Sequence, residues 1–238
     1  MAKVWLITGS GNGLGRDIAE AALAAGDSVV AGARRLEELG SLVEKYGQRI
    51  TPVTLDVREE AAAKAAVQTA VEKYGRLDVL VNNAGIFLNK PFTDFTREDF
   101  DALVSTNLLG FFYMTQRTVQ EMLKQKSGSV VTITAALADR PIAGENGSVS
   151  MITKGGLNSA TQNLAIEYAR AGIRFNAVAP GEVDTPMHQN DPKDATPQPA
   201  VKKATVKDIV DAVLYLAQAG HVSGEILHVD GAAPARRW

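Results

Sequence analysis

Short, apolar, β-branched runs alternate with longer Ala-rich segments along most of the chain, and this alternation restricts the possible folds more than any other feature. Runs of that length suit strands buried on both faces. The helical periodicity between them suits crossovers, so the pattern specifies βαβ units on a parallel sheet. Seven strands are expected, at Val4–Ile7, Ser28–Ala33, Thr51–Leu55, Asp78–Asn82, Ser129–Thr134, Arg174–Ala179 and Ile226–Val229. Helices are expected near Gly13–Ala25, Leu36–Lys45, Glu59–Tyr74, Arg97–Lys124, Ser150–Arg170 and Val206–Gln218. Right-handed crossovers carry those helices to both faces, so the expected class is α/β with a doubly wound, seven-stranded parallel sheet. With 238 residues, 45% of them hydrophobic, a single domain over residues 1–238 is the expected organisation.

The first strand runs into Thr8-Gly9-Ser10-Gly11-Asn12-Gly13-Leu14-Gly15, which opens directly into a helix at Arg16-Asp17-Ile18-Ala19. Glycines at such a junction let the backbone turn sharply and let its N–H groups approach an anion. They also let the helix pack closely, with its positive end aimed at a pyrophosphate. Strand before and helix after are the context that a Rossmann-type dinucleotide site requires. Thr8, Gly9, Asn12, Gly13, Leu14 and Gly15 are therefore candidate cofactor-binding residues.

About twenty residues further on, an NAD site carries an acid at the end of the second strand. Here that place reads Ala33-Arg34-Arg35. A guanidinium there can grip a 2′-phosphate through charge-assisted bonds, which favours NADP over NAD; otherwise both arginines are solvated residues at a helix start. Asp56, after the third strand, either accepts from an adenine amino group or caps the helix that follows.

Composition excludes several other functions. The net charge of −2 and pI near 6.0 leave no basic excess for nucleic acid, and no window approaches a membrane span. The chain has no cysteine, so disulfides and thiolate chemistry are ruled out, and a cytoplasmic location is expected. His188, His221 and His228 lack the spacing of a zinc helix, and no metal is expected. The apolar run after Met1-Ala2-Lys3 is too short for a signal peptide. Four prolines between Pro186 and Lys203 mark a long loop after the sixth strand, either a lid over a substrate or a plain surface loop.

Taken together, Thr8-Gly9-x-x-x-Gly13-x-Gly15, Asp56, Asn82-Asn83-Ala84-Gly85, Asn107, Lys154, Pro180-Gly181 and Val229-Asp230-Gly231 resemble the short-chain dehydrogenase/reductase series in order and spacing. The resemblance implies hydride transfer between a small carbonyl and its alcohol, and a homotetramer or homodimer built through two long helices. It also implies cofactor contacts from Asp56, Val57, Asn83, Ala84, Gly85, Lys154, Pro180, Gly181, Val183 and Thr185, with Ile86 and Val183 bordering the nicotinamide. The catalytic set it implies is Asn107, Thr134, Ser150 and Lys154, and here the sequence departs from the pattern. Ser150 stands four residues before Lys154, where such enzymes carry tyrosine, and no tyrosine occurs between Tyr113 and Tyr168. The usual Ser-Ser after the fifth strand reads Thr134-Ala135. A serine is a weaker and shorter acid than a phenol, so Asp139, Glu145 and His188 are alternative proton donors. Plainer readings make Ser148 or Ser150 a helix N-cap and have Asn107 bond backbone at a bulge.

Overall fold

A computed structural model describes residues 2–142, 145–183 and 203–231. Its centre is a seven-stranded, wholly parallel sheet in the order β3-β2-β1-β4-β5-β6-β7. The strands are β1 Val4–Thr8, β2 Ser28–Ala33, β3 Ile50–Thr54, β4 Val79–Asn82, β5 Gly128–Ile133, β6 Ile173–Pro180 and β7 Ile226–Val229. The fold is thus the doubly wound α/β class expected, with several strand ends displaced by one residue. The order reverses between β1 and β4, whose carboxyl ends, Thr8 and Asn82, flank the crevice where ligands of open α/β sheets bind.

Alternate residues of each strand feed two separate cores, because successive side chains point to opposite faces. Trp5, Ile7, Val29 and Ala31 pack with α1 (Gly13–Ala24) and α7 (Val206–Gln218) on one face. Leu6, Val30, Leu80 and Phe175 pack with α3 (Glu60–Tyr74) and α5 (Gly110–Gln125) on the other. Burial on both sides explains why the strands read as continuous apolar runs. Among the described residues no helix is long and apolar enough to cross a membrane.

Three expected helices differ in ways that matter for the site. Leu36–Lys45 divides into a 3-10 turn, Leu36–Leu39, and α2, Gly40–Tyr46. The break falls at a glycine, where helix propensity is lowest, and Arg16 Nη1 donates to the Glu38 carbonyl at 2.7 Å. Arg97–Lys124 is α4 (Arg97–Leu103), a π-helical turn (Val104–Leu109) and α5 in succession. The sixth helix, α6, spans Ser148–Glu167, with Gly147 at its N-cap and a 3-10 turn at Ala169–Ala171 after it.

Phe175 is fully buried in the second core with its ring 5.8 Å from that of Tyr168. Phe175→Ala is expected to lower the unfolding free energy by about 3–5 kcal/mol. Urea denaturation should record this as a lower midpoint with an unchanged slope.

Candidate functional site

The glycine turn is shaped by backbone conformation before any ligand arrives. Gly9 and Gly13 have φ of +69° and +54°, the left-handed region that only glycine enters without strain. Gly15, in the first turn of α1, lies so close to the glycine turn that a Cβ there would overlap the Gly9 carbonyl and the Asn83 amide. The Thr8 hydroxyl accepts from Asn83 N at 3.0 Å and Ala84 N at 2.9 Å. Asn83 Nδ2 returns a bond to Thr8 O at 2.9 Å, so the turn after β1 and the loop after β4 are locked face to face. Leu14 packs its side chain into the core below. Asn12 has extended backbone, no side chain caps α1, and its first turn holds no acid. The leading N–H groups of α1 therefore present positive charge with no side-chain acceptor to quench it, which fits a pyrophosphate.

At the tip of β2 the two arginines differ. Arg35 is 68% exposed by side chain and donates from Nε to Glu38 Oε1 at 2.7 Å, with a second bond from Nη2 to the same oxygen. Arg34 is exposed and lies near enough to Asp56 to help hold its carboxyl low. The larger cause of that depression is Arg58, whose Nε donates to Asp56 Oδ1 at 2.9 Å, with Arg58 N at 3.0 Å. Asp56 is therefore not the cap of α3, which begins after Glu59. Val57 is buried against Gly110, where a Cβ would meet it at 2.7 Å.

In the crevice, Asn107 sits in the π-turn and is 98% buried, at 2% exposure. Its Oδ1 accepts from Ile86 N at 2.9 Å; its Nδ2 donates to Ile86 O at 3.0 Å and to Thr153 Oγ1 at 2.9 Å. The extra residue of a π-turn is what turns this side chain inward. Lys154 Nζ donates to Ile133 O at 2.8 Å, and burial lowers its pKa from 10.5 to about 8. A Cβ on Gly85 would stand 3.2 Å from both Asn107 Oδ1 and Lys154 Nζ, so the two groups share one wall of the crevice. Thr8, Asn82, Asn107, Thr132 and Lys154 line a cavity of about 10 Å³, room for one water.

With this geometry in view, a family profile described as short chain dehydrogenase matches residues 3–196. The chain belongs to the short-chain dehydrogenase family. It is 35% identical over 240 residues to the 3-oxoacyl-[acyl-carrier-protein] reductase FabG of Thermotoga maritima, covering 96% of each chain. It is 40% identical over 186 residues to oxidoreductase BOA17 of Botryotinia fuckeliana, covering 78% of this chain and 67% of that one. Among solved structures, a 3-ketoacyl-(acyl-carrier-protein) reductase from Brucella melitensis complexed with NADH is similar with a TM-score of 0.91, at 31% identity over 98% of each chain. ElxO with NADP bound gives a TM-score of 0.90, at 28% identity over 99% of this chain and 100% of that one.

In this short-chain dehydrogenase the crevice gathers Thr8, Asn83–Gly85, Asn107 and Lys154, but not every expected residue. Ser150 is neither a cap nor open to the crevice: it is fully buried in the first turn of α6, as Ser148 also follows the cap residue Gly147. Its hydroxyl accepts from Leu88 N at 2.9 Å and donates to Leu88 O at 3.0 Å. Thr134 is buried, and its hydroxyl donates to Val178 O at 3.3 Å within the sheet. Of the alternative acids, Asp139 pairs with His228 Nε2 at 3.0 Å and Glu145 accepts from Asn89 Nδ2 at 3.1 Å. Gly181, after Pro180, donates to Val229 O at 3.0 Å, and Val183 is buried and bridges Ala204. Thr185, His188 and all of the Pro186–Lys203 stretch except Lys203 lie outside the described residues. Sequence reading missed Thr153, the link from Asn107 to α6, and Arg16 and Glu38, which join the glycine turn to the β2 tip. None of the three belongs to a motif, although Arg16 directly follows the last glycine of the turn.

Lys154 gives a pH signature. Its folded pKa lies below its unfolded one, so the penalty for burying the ammonium is complete below about pH 8, and stability recovers as pH rises from 8 towards 10.5. Lys154→Met is expected to stabilise the fold at pH 7 by at most about 3 kcal/mol, with the gain fading above pH 8. Thermal melts of both proteins across that range check it; a difference independent of pH contradicts the assignment.

Proposed function

We propose that this chain is an oxidoreductase that prefers NADP over NAD and transfers hydride between a small carbonyl and its alcohol. The observation that carries the reading is the uncapped N-terminus of α1 behind a glycine turn clamped to the crevice wall of Asn107 and Lys154. The NADP and NADH held by similar solved structures support dinucleotide use, and the exposed Arg34 at the tip of β2 supports the choice of NADP. All seven strands lie in one sheet, which supports one domain acting as a single dinucleotide-binding unit.

When bound, the reduced nicotinamide supplies a hydride to the carbonyl carbon. The oxygen must then gain a proton, and this chain departs from its family there, since Ser150 stands where the tyrosine is implied. The one proton of the Ser150 hydroxyl is donated to Leu88 O, and the oxygen accepts from Leu88 N. Among the described residues Lys154 is the acid that reaches the crevice: its ammonium lines the one-water cavity, and burial lowers its pKa to about 8, closer to the neutral range where proton transfer is efficient. Asn107, held by Ile86 and Thr153, fixes the wall beside it.

A second reading, a dinucleotide-binding sensor or scaffold without turnover, is favoured by the same saturation of Ser150. Fluorescence titration with NADPH, followed by a panel of small carbonyls, separates the two. The expected result is NADPH binding with reduction slower than a phenol-equipped site by about 10²–10⁴. Reduction should decline above about pH 8, as Lys154 loses the proton it donates, and Lys154→Met should abolish it. Binding with no reduction across the panel selects the scaffold, and failure to bind either cofactor removes both readings.

A further inference from the structure

One carboxylate beside the glycine turn has no part in the binding just described. Glu38 lies in the 3-10 turn after β2, and its side chain occupies the space that a Cβ on Gly11 would need. Its Oε1 meanwhile accepts both bonds from Arg35. A single acid thus spans from the phosphate turn to the strand tip, outside the position at the end of β2 where an acid reads ribose. The other charges at this turn are Arg16 from α1, which bonds its main chain, and Glu37, which with Glu38 raises the Arg35 pKa; Arg34 and the Asp56–Arg58 pair follow β2 and β3.

We propose that Glu38 sets cofactor discrimination in this chain, competing with a 2′-phosphate for Arg35 and thereby narrowing the preference for NADP over NAD. The inference rests on the dinucleotide reading above. A 2′-phosphate entering here meets a like charge and must draw Arg35 away from an existing charge-assisted pair. An unphosphorylated ribose avoids that exchange, because its hydroxyls can donate to the carboxylate. Arg34, which makes no hydrogen bond or ion pair among the described residues, remains open to the phosphate and keeps NADP the better ligand. Arg16 grips this turn through the Glu38 main-chain carbonyl and Ser41, not through the carboxylate, so neutralising Glu38 leaves the turn anchored.

The test measures Kd for NADPH and NADH on the native chain and on Glu38→Gln. Adenosine 2′,5′-bisphosphate and ADP serve as a second pair that differs by the phosphate alone. Glu38→Gln is expected to tighten NADPH and the bisphosphate about five- to tenfold, while NADH and ADP stay level or weaken. Arg35→Gln should cost NADPH more in the Glu38→Gln background than in the native one, because only there is the fork free. If Glu38→Gln does not fold, Glu38→Ala reads the same shift. Equal changes for both cofactors, or none, overturn the role of Glu38 and leave the binding site standing; a native chain that binds neither cofactor removes the site and this inference with it.

Discussion

The Thr8 hydroxyl is the point on which the rest of the crevice depends. It is buried at the carboxyl end of β1 and collects the N–H groups of Asn83 and Ala84, while Asn83 returns its amide to the Thr8 carbonyl. The sheet order reverses between these two strands, so their loops diverge to opposite faces and leave a gap with unpaired backbone. Cross-bonding at the gap satisfies those groups and fixes the glycine turn against the opposite wall. Buried backbone groups left unpaired there would each cost about 1–3 kcal/mol, which is why the threonine and asparagine act as a pair.

From that clamp the site extends in two directions of different electrostatic character. Towards the β2 tip it is crowded with exposed charge, with Arg35 on Glu38 and Arg58 on Asp56, where water screens each pair and each is weak. Towards α6 the site is more enclosed. Asn107, Thr153 and Lys154 are held by well-defined bonds to backbone or to one another, and among the described residues the lysine is the one cation lining the one-water cavity. Low dielectric lowers the lysine pKa and keeps its proton mobile near neutrality.

Burial also explains how a serine stands where the family resemblance implies a tyrosine. Ser150 is short enough to disappear beneath the Leu88 backbone, closing both of its bonds there and joining the loop after β4 to α6. The hydroxyl is thereby part of the scaffold that ties these two segments together.

The sequence by itself determined the seven strands, their parallel arrangement and the glycine turn, because these follow from local rules: apolar runs buried on two faces, and φ values that glycine adopts without strain. It also located Asn107 and Lys154 through motif spacing. Tertiary structure alone decided which hydroxyls were already engaged. Nothing local to Ser150 or Thr134 reveals that Leu88 and Val178 claim them, since those partners lie 62 and 44 residues away. It likewise decided that Arg35 and Arg34, adjacent and identical in type, are unequal, one bonded to Glu38 and the other without a hydrogen bond or ion pair among the described residues. Covalent neighbours share a sequence context but point in different directions, and a charge is defined by what faces it.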